Sequence, residues 1–128
     1  LTLSGVSQTA ILTRRAGKTP VPERESLAML AKSQSTMCIF LSIDQIEDIA
    51  RELIPSYGKD CPVSVVYKVT WPDGKIIKTT LSELSKEVKK ERIDKTALII
   101  VGHVLKKKFK KSKLYDKNFS HFFRKKIT

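Results

Sequence analysis

The residue types that most often carry catalysis are few in this chain. Its two histidines, His103 and His121, have no acidic or nucleophilic partner near them in the sequence. Its two cysteines, Cys38 and Cys61, are too few and too far from the histidines for a zinc site, so we expect two reduced structural thiols. The sequence therefore predicts neither a metal ion nor a catalytic side chain.

One basic loop could bind an acidic ligand. It carries Arg14, Arg15 and Lys18, whose charges suit carboxylates, although solvation of an ordinary loop is an equally open reading. The same loop contains Gly-Lys-Thr at residues 17–19, a fragment of a phosphate-binding motif. The fragment lacks the upstream glycine and precedes two prolines, so we do not interpret it as a nucleotide site.

The formal net charge of +12 is concentrated near the end of the chain, at Lys106–Lys113 and Arg124–Lys126. Such a field attracts nucleic acid or a substrate with many carboxylates, and it also fits a merely solvated surface. Aromatic residues interleave with these lysines, so a small nucleic-acid-binding module is the alternative function. The spacing of the aromatic residues is, however, more typical of a terminal segment that docks on the core. These residues are Tyr115, Phe119, Phe122 and Phe123.

The length and composition favour a single folded domain. The chain has 128 residues, of which 41% are hydrophobic, and this is enough for a core. No apolar run approaches the roughly 20 residues that a membrane span needs. The sequence has no signal-peptide pattern, so we expect a cytoplasmic protein without membrane contact.

Five apolar runs predict β-strands, and most of the stretches between them have the apolar spacing of helices. The predicted strands are residues 9–13, 36–41, 62–70, 75–80 and 96–101. Helices are predicted to begin near Pro22, Ser42 and Thr80, the last two with a capping box. A turn at Trp71–Gly74 joins the third and fourth strands into a hairpin.

This order of elements fixes the strand directions. Helical crossovers join parallel strands, so the first three strands run the same way, while the hairpin reverses the fourth and the last crossover makes the fifth parallel to the fourth. The predicted fold is therefore α/β, with a five-stranded mixed sheet of three strands one way and two reversed, flanked by helices.

Ligands in open α/β sheets bind beyond the carboxyl ends of parallel strands. Three such ends share one edge here: the loop from Arg14, the step Leu41–Ser42 and the step Val69–Thr70. The hairpin turn at Trp71 lies at the same edge. Gly102 follows the fifth strand, so we expect it at the opposite edge and outside the site.

Segments along the whole chain resemble the C-terminal half of the cobalt-precorrin-4 (C-11) methyltransferases, a group of tetrapyrrole methylases. These segments occur in the same order as in that family. The resemblance is specific because several segments match in register. The segments are LTLSGVSQT at 1–9, TRRAGKTPVPERESLAMLA at 13–31, TMCIFLS at 36–42, PVSVVYKVTWPDGKI at 62–76, KTALIIVG at 95–102, SKLYD at 112–116 and FFR at 122–124.

The resemblance implies a fold of two α/β domains that hold S-adenosylmethionine (SAM) in the cleft between them. Residues 1–128 would form the C-terminal domain, and the N-terminal domain with its glycine- and proline-rich SAM loop is absent. The implied activity is methylation of carbon 11 of a corrin precursor in cobalamin biosynthesis, by a protein that is usually a homodimer.

The resemblance also implies which residues bind. Backbone contacts to SAM fall on Leu41 and Val69, with Ser42 and Thr70 next to them. Relatives usually carry alanine or glycine at the second position, whereas this chain has the bulkier Val69. Because SAM already carries the activated methyl group, no nucleophilic side chain is required. Arg14, Arg15 and Lys18 are then the candidates for binding the carboxylates of the substrate.

Overall fold

The computed structural model describes residues 1–106. Most of the lysine-rich segment and the aromatic segment that we expect to dock on the core lie outside these residues. The strands are β1 (Ala10–Thr13), β2 (Thr36–Ile39), β3 (Pro62–Tyr67), β4 (Lys75–Thr80) and β5 (Ala97–Val101). The α-helices are α1 (Leu27–Leu30), α2 (Ile46–Tyr57) and α3 (Leu84–Lys90). Short 3₁₀ turns occupy Glu23–Glu25, Ala31–Ser33, Ile43–Gln45 and His103–Leu105.

The five strands form one mixed sheet in the order β1-β2-β5-β3-β4. Strand β1 pairs parallel to β2, and β5 lies antiparallel between β2 and β3. Strand β4 pairs antiparallel to β3 as a hairpin. Three strands thus run one way and two the other, which confirms the predicted directions.

The helices share one face of the sheet. Helix α2 packs against both α1 and α3, and all three contribute to a single buried cluster. Alternate residues of the central strands face this cluster, as the period of two requires. They are Met37, Ile39, Val63, Val65, Ile99 and Val101. Each large apolar side chain buried there stabilises the fold by about 1.5–3 kcal/mol.

Two strands end earlier than the apolar pattern predicts. Strand β2 ends at Ile39 rather than at residue 41, and β3 ends at Tyr67 rather than at residue 70. Leu41 has φ 53° and Lys68 has φ 47°, so both adopt the left-handed conformation. Such backbone cannot continue a strand, whatever the hydrophobicity of the side chain.

Both predicted capping boxes are wrong. The Ser42 hydroxyl accepts from the Arg15 backbone N–H at 2.9 Å and donates to the Phe40 carbonyl at 2.8 Å. The Thr80 hydroxyl lies 3.1 Å from the Ser82 hydroxyl instead of capping α3. Polar side chains near a helix start have several backbone partners in reach, and tertiary contacts decide among them.

Helix α1 begins later than the sequence predicts, and helix α2 contains a proline. Ser26 caps α1, accepting from the Met29 N–H at 3.3 Å, although the helix was predicted from Pro22. Pro55 lies inside α2 near its end, and the helix continues to Tyr57 before Gly58, which has φ 90°. The positive φ of Gly58, rather than the proline, ends this helix.

Both cysteines are buried and free. Burial raises the pKa of the Cys61 thiol to about 11, and burial also raises the pKa of Cys38. This agrees with the prediction of structural thiols. Among the described residues, no helix has the length and hydrophobicity needed to cross a bilayer.

Candidate functional site

A pocket of about 530 Å³ opens at the edge of the sheet where β2 and β3 end, and we call it the tip pocket. Three chain segments form it: residues 40–44 after β2, residues 66–71 at the end of β3, and residues 94–98 at the start of β5. Its volume lies within the range of about 300–1,000 Å³ that is typical of small-molecule sites.

Leu41 and Val69 both line the tip pocket. Their exposed fractions, 87% and 56%, are high for large apolar side chains. The predicted strand directions place these two strand ends at the same edge of the sheet, and both residues lie there in one pocket. Exposed apolar residues that share a concave surface mark a binding site more often than scattered ones.

The backbone around the tip pocket is strained at three positions. Leu41, Lys68 and Thr96 all line it and have φ values of 53°, 47° and 57°. Left-handed conformations cost a non-glycine residue about 1–3 kcal/mol, and they concentrate where a binding surface needs a particular chain path.

The lining of the tip pocket combines apolar and charged side chains. The apolar residues are Phe40, Leu41, Ile43, Val66, Val69, Trp71, Ala97 and Leu98. The charged residues are Asp44, Lys68, Asp94 and Lys95. This arrangement suits an amphiphilic ligand with a flat apolar ring and a charged, hydroxylated remainder.

The segment Asp94–Leu98 is a part of the pocket that sequence reasoning missed. The sequence predicts Gly102, which follows the fifth strand, at the opposite edge, and the structure confirms this, because Val101 pairs with Met37 and Val63 near the starts of β2 and β3. The signal was nevertheless present. An antiparallel β5 must begin at the edge where β2 and β3 end.

Ser42 and Thr70 lie apart from the tip pocket. Ser42 is 1% exposed, and its hydroxyl accepts from the Arg15 backbone N–H and donates to the Phe40 carbonyl. Thr70 is exposed and lines a smaller hollow of about 230 Å³ at the hairpin, on the other side of Val69. Direct contact of either side chain with a ligand in the tip pocket therefore stays a prediction.

The hairpin turn fixes the position of Lys68. Its ammonium lies 2.9 Å from the Asp73 carboxylate and 5.3 Å from the centre of the Trp71 ring. The hydrogen bond that Lys68 donates to the Asp73 carboxylate raises the pKa of Lys68. A Cβ at Gly74 would lie 2.3 Å from the Lys68 carbonyl oxygen, so only glycine fits this turn.

Arg14 lines a second hollow, of about 390 Å³, between the β1 tip and the loop at residues 20–22; we call it the Arg14 hollow. Its guanidinium donates to the carbonyls of Thr19 and Pro20 at 2.9 and 3.1 Å. Phe40 lines both this hollow and the tip pocket.

Arg15 points to helix α2 instead. It donates to both carboxylate oxygens of Glu52 and to the Gln45 side chain, and it lies 3.8 Å from Asp48. Lys18 is exposed and, within residues 1–106, makes no ion pair. The three predicted substrate-binding residues therefore have three different environments.

Within the described part of the chain, no three His, Cys, Asp or Glu side chains converge to hold a metal ion. The tip pocket offers a binding surface rather than an acid–base pair. A surface of this kind can position a ligand and exclude water from it.

The sequence matches known proteins over nearly its whole length. Residues 1–85 match the family of tetrapyrrole (corrin/porphyrin) methylases. The chain is 55% identical over 98% of its length to a cobalt-precorrin-4 C(11)-methyltransferase of Methanocaldococcus jannaschii, and it covers 49% of that protein. It is 45% identical over 98% of its length to the protein of the same name from Priestia megaterium, of which it covers 50%. The chain thus spans about half the length of these relatives.

Solved structures give the same result for the fold. An X-ray structure of a cobalt-precorrin-4 methyltransferase superposes with a TM-score of 0.80 at 44% identity, over 83% of this chain and 45% of the other. A uroporphyrin-III C-methyltransferase from Thermus thermophilus, solved with S-adenosylhomocysteine, has a TM-score of 0.66 at 20% identity, over 81% of this chain and 46% of the other. This more distant likeness concerns the fold alone. The match over residues 1–85 and the relative at 55% identity lead to one assignment: the chain belongs to the tetrapyrrole (corrin/porphyrin) methylase family.

Proposed function

We propose that this chain is the C-terminal part of a SAM-dependent methyltransferase that methylates carbon 11 of precorrin-4 or cobalt-precorrin-4 in cobalamin biosynthesis. One observation carries the proposal: the 55% identity, over nearly the whole chain, to a cobalt-precorrin-4 C(11)-methyltransferase. The identity of 44% to a solved enzyme of that name supports the same substrate class.

SAM is assigned to the tip pocket. The apolar part of the lining suits the adenine ring, and the carboxylates of Asp44 and Asp94 suit the ribose hydroxyls and the positive charge of the cofactor. Leu41 and Val69 contribute backbone contacts from two strand ends. Bound SAM supplies the electrophilic methyl group, and the residues of this chain orient it and exclude water.

The chain supplies half of a site that a second domain completes. We propose that a preceding N-terminal domain carries the SAM loop, because the relatives are about twice as long as the matched region. We further propose that the complete protein is a homodimer, as the family resemblance implies. Its cytoplasmic location stays a prediction from the sequence.

The alternative of a nucleic-acid-binding module depends on Lys106–Lys126, which lies almost entirely outside the described residues. The methyltransferase is preferred because it accounts for the tip pocket and for the match over the rest of the chain. Binding of nonspecific DNA that persists at high salt would favour the alternative.

The test of the proposal uses the complete two-domain protein. Titration calorimetry with S-adenosylhomocysteine should give saturable binding, and incubation with SAM and a precorrin-4 substrate should add one methyl group, located at carbon 11 by NMR of the product. Absence of S-adenosylhomocysteine binding, or methylation at another carbon, contradicts the proposal. The 128-residue chain alone should not turn over, because it lacks the SAM loop.

A further inference from the structure

Trp71, in the turn of the hairpin, is the only tryptophan of the chain, and it lines the tip pocket. It also contributes to the smaller hollow at the hairpin. Tryptophan side chains are on average highly buried in folded proteins, yet this one is 57% exposed. A large aromatic surface is therefore accessible next to the pocket that we assign to SAM.

The backbone of the turn determines where Trp71 lies. Its N–H donates to the Lys68 carbonyl at 3.0 Å, and its carbonyl accepts from the Gly74 N–H at 2.9 Å. The Lys68 N–H in turn donates at 3.0 Å to the carbonyl of Thr96, which also lines the tip pocket. The turn that carries the indole is thus joined by hydrogen bonds to the residue that precedes β5.

The side chain of Lys68 fixes the indole ring. Its ammonium lies 5.3 Å from the centre of the Trp71 ring, a distance at which a cation attracts an aromatic face. The same ammonium is held by the Asp73 carboxylate at 2.9 Å, and it lies 5.3 Å from the centre of the Tyr67 ring. The indole is therefore positioned before any ligand binds, which lowers the entropic cost of binding.

The charge of Lys68 decides which part of SAM can lie on this ring. The sulfonium and the amino group of SAM are positive, so a nearby ammonium repels them. The adenine ring is neutral and flat, and bases of this kind stack on aromatic side chains. The carboxylates of Asp44 and Asp94, on the two other segments that form the pocket, suit the positive groups.

We propose that the adenine ring of SAM stacks on the indole of Trp71, and that Lys68 and Asp73 are positioning residues that hold this indole in place. The inference rests on the proposed function and names a side chain that contacts the cofactor. It adds a stacking contact to the backbone contacts of Leu41 and Val69.

The experiment measures the binding of S-adenosylhomocysteine, and separately of adenosine, to the complete protein by titration calorimetry. Trp71→Leu keeps an apolar side chain but removes the aromatic face. It should raise both dissociation constants about 5- to 100-fold, the range for losing one stacked base. Trp71→Phe keeps an aromatic face and should bind both ligands more tightly than Trp71→Leu does.

The role of Asp73 is tested by a double-mutant cycle, since Asp73 itself does not line the tip pocket. Asp73→Asn removes the ion pair that places Lys68, and it should raise the constant for S-adenosylhomocysteine about 2- to 5-fold. In the Trp71→Leu background the same substitution should have no further effect, because its effect passes through the indole. Additive effects would show that Asp73 acts on the turn in general.

The control is Ile76→Ala, which truncates an exposed apolar side chain of the same hairpin outside the tip pocket. It should change both constants less than about twofold. If Ile76→Ala weakens binding as much as Trp71→Leu does, the stacking assignment is wrong. The assignment is also wrong if Trp71→Leu weakens S-adenosylhomocysteine alone, with adenosine unaffected or not bound even by the wild type.

These outcomes are distinct from failure of the proposed function, in which wild-type protein does not bind S-adenosylhomocysteine at all. Circular dichroism verifies that each variant is folded. Should Trp71→Leu fail to fold, Asp73→Asn decides, and an unchanged dissociation constant for that variant overturns the inference.

Discussion

Arg15 donates through Nε and Nη2 to the carboxylate of Glu52, with a closest distance of 2.8 Å. This pair joins the loop after β1 to helix α2 over 37 residues of sequence. The Arg15 backbone N–H, meanwhile, donates to Ser42 beside the β2 tip. Arg15 therefore links three segments of the chain: the loop after β1, the residues that follow β2, and helix α2.

Replacing the carboxylate of Glu52 should destabilise the fold. Both side chains are less than one-third exposed, so Glu52→Gln should lower the free energy of unfolding by about 1–2 kcal/mol. Urea denaturation followed by circular dichroism measures this change. The control is Glu47→Gln, whose ion pair with Lys89 is exposed and should contribute little. Equal stability of Glu52→Gln and wild type would show that the pair does not anchor the loop.

The size of Val69 should control cofactor binding. Its side chain lines the tip pocket and is 56% exposed, so Val69→Trp would fill the pocket without disturbing the core. In the complete protein, Val69→Trp should weaken S-adenosylhomocysteine binding at least about tenfold by titration calorimetry, while Val69→Ala should retain it. Unchanged binding by the tryptophan variant would count against this pocket as the SAM site.

The turn at Gly74 should tolerate no side chain. A Cβ there would lie 2.3 Å from the Lys68 carbonyl oxygen and 3.0 Å from that of Trp71, so the hairpin must shift. Gly74→Ala should lower the free energy of unfolding by about 1–3 kcal/mol. Lys78→Ala on the same hairpin is the control and should stay within about 0.5 kcal/mol of wild type. Thermal unfolding compares the melting temperatures of the two variants, and equal melting temperatures would refute the steric explanation.

His103 should make the stability depend on pH. Burial, and to a lesser extent Lys106, lowers the pKa of His103 from its ordinary value of 6.5 in the folded state. The unfolded chain therefore binds a proton that the folded chain does not, and stability should be lost as the pH falls below about 6.5.

Denaturation midpoints between about pH 7.5 and about pH 5 test this dependence. His103→Gln should flatten the slope in that range. A slope that persists in the His103 variant would assign the effect to other groups.

The succession of strands along the chain and their directions could be predicted from the sequence. One set of directions agrees with the apolar runs, the helical spacing between them and the turn at Trp71–Gly74. The place of β5 between β2 and β3 could not, since local patterns carry no information on which strands become neighbours. For the same reason, the contribution of Asp94–Leu98 to the tip pocket became visible only in the fold.

The site was predicted at the level of backbone segments and not at that of side-chain roles. Leu41 and Val69 lie where the strand directions placed them. Arg14 and Arg15 are identical in type and adjacent in sequence, yet one meets only carbonyls and the other meets Glu52. Such a difference depends on partners 5 to 37 residues away, which no local pattern specifies.

The strand inserted between β2 and β3 has a further consequence for how this protein can change. Neighbouring strands lie about 4.8 Å apart, so the two chain ends that flank β5 are separated by roughly 10 Å, whatever side chains they carry. Substitutions can make the space between these two chain ends, next to Ala97, shallower or more polar. They cannot reduce the distance between the two chain ends. Changing that distance would require a different arrangement of the strands in the sheet. Inserting or deleting a residue within 94–96 would instead change the depth of the space.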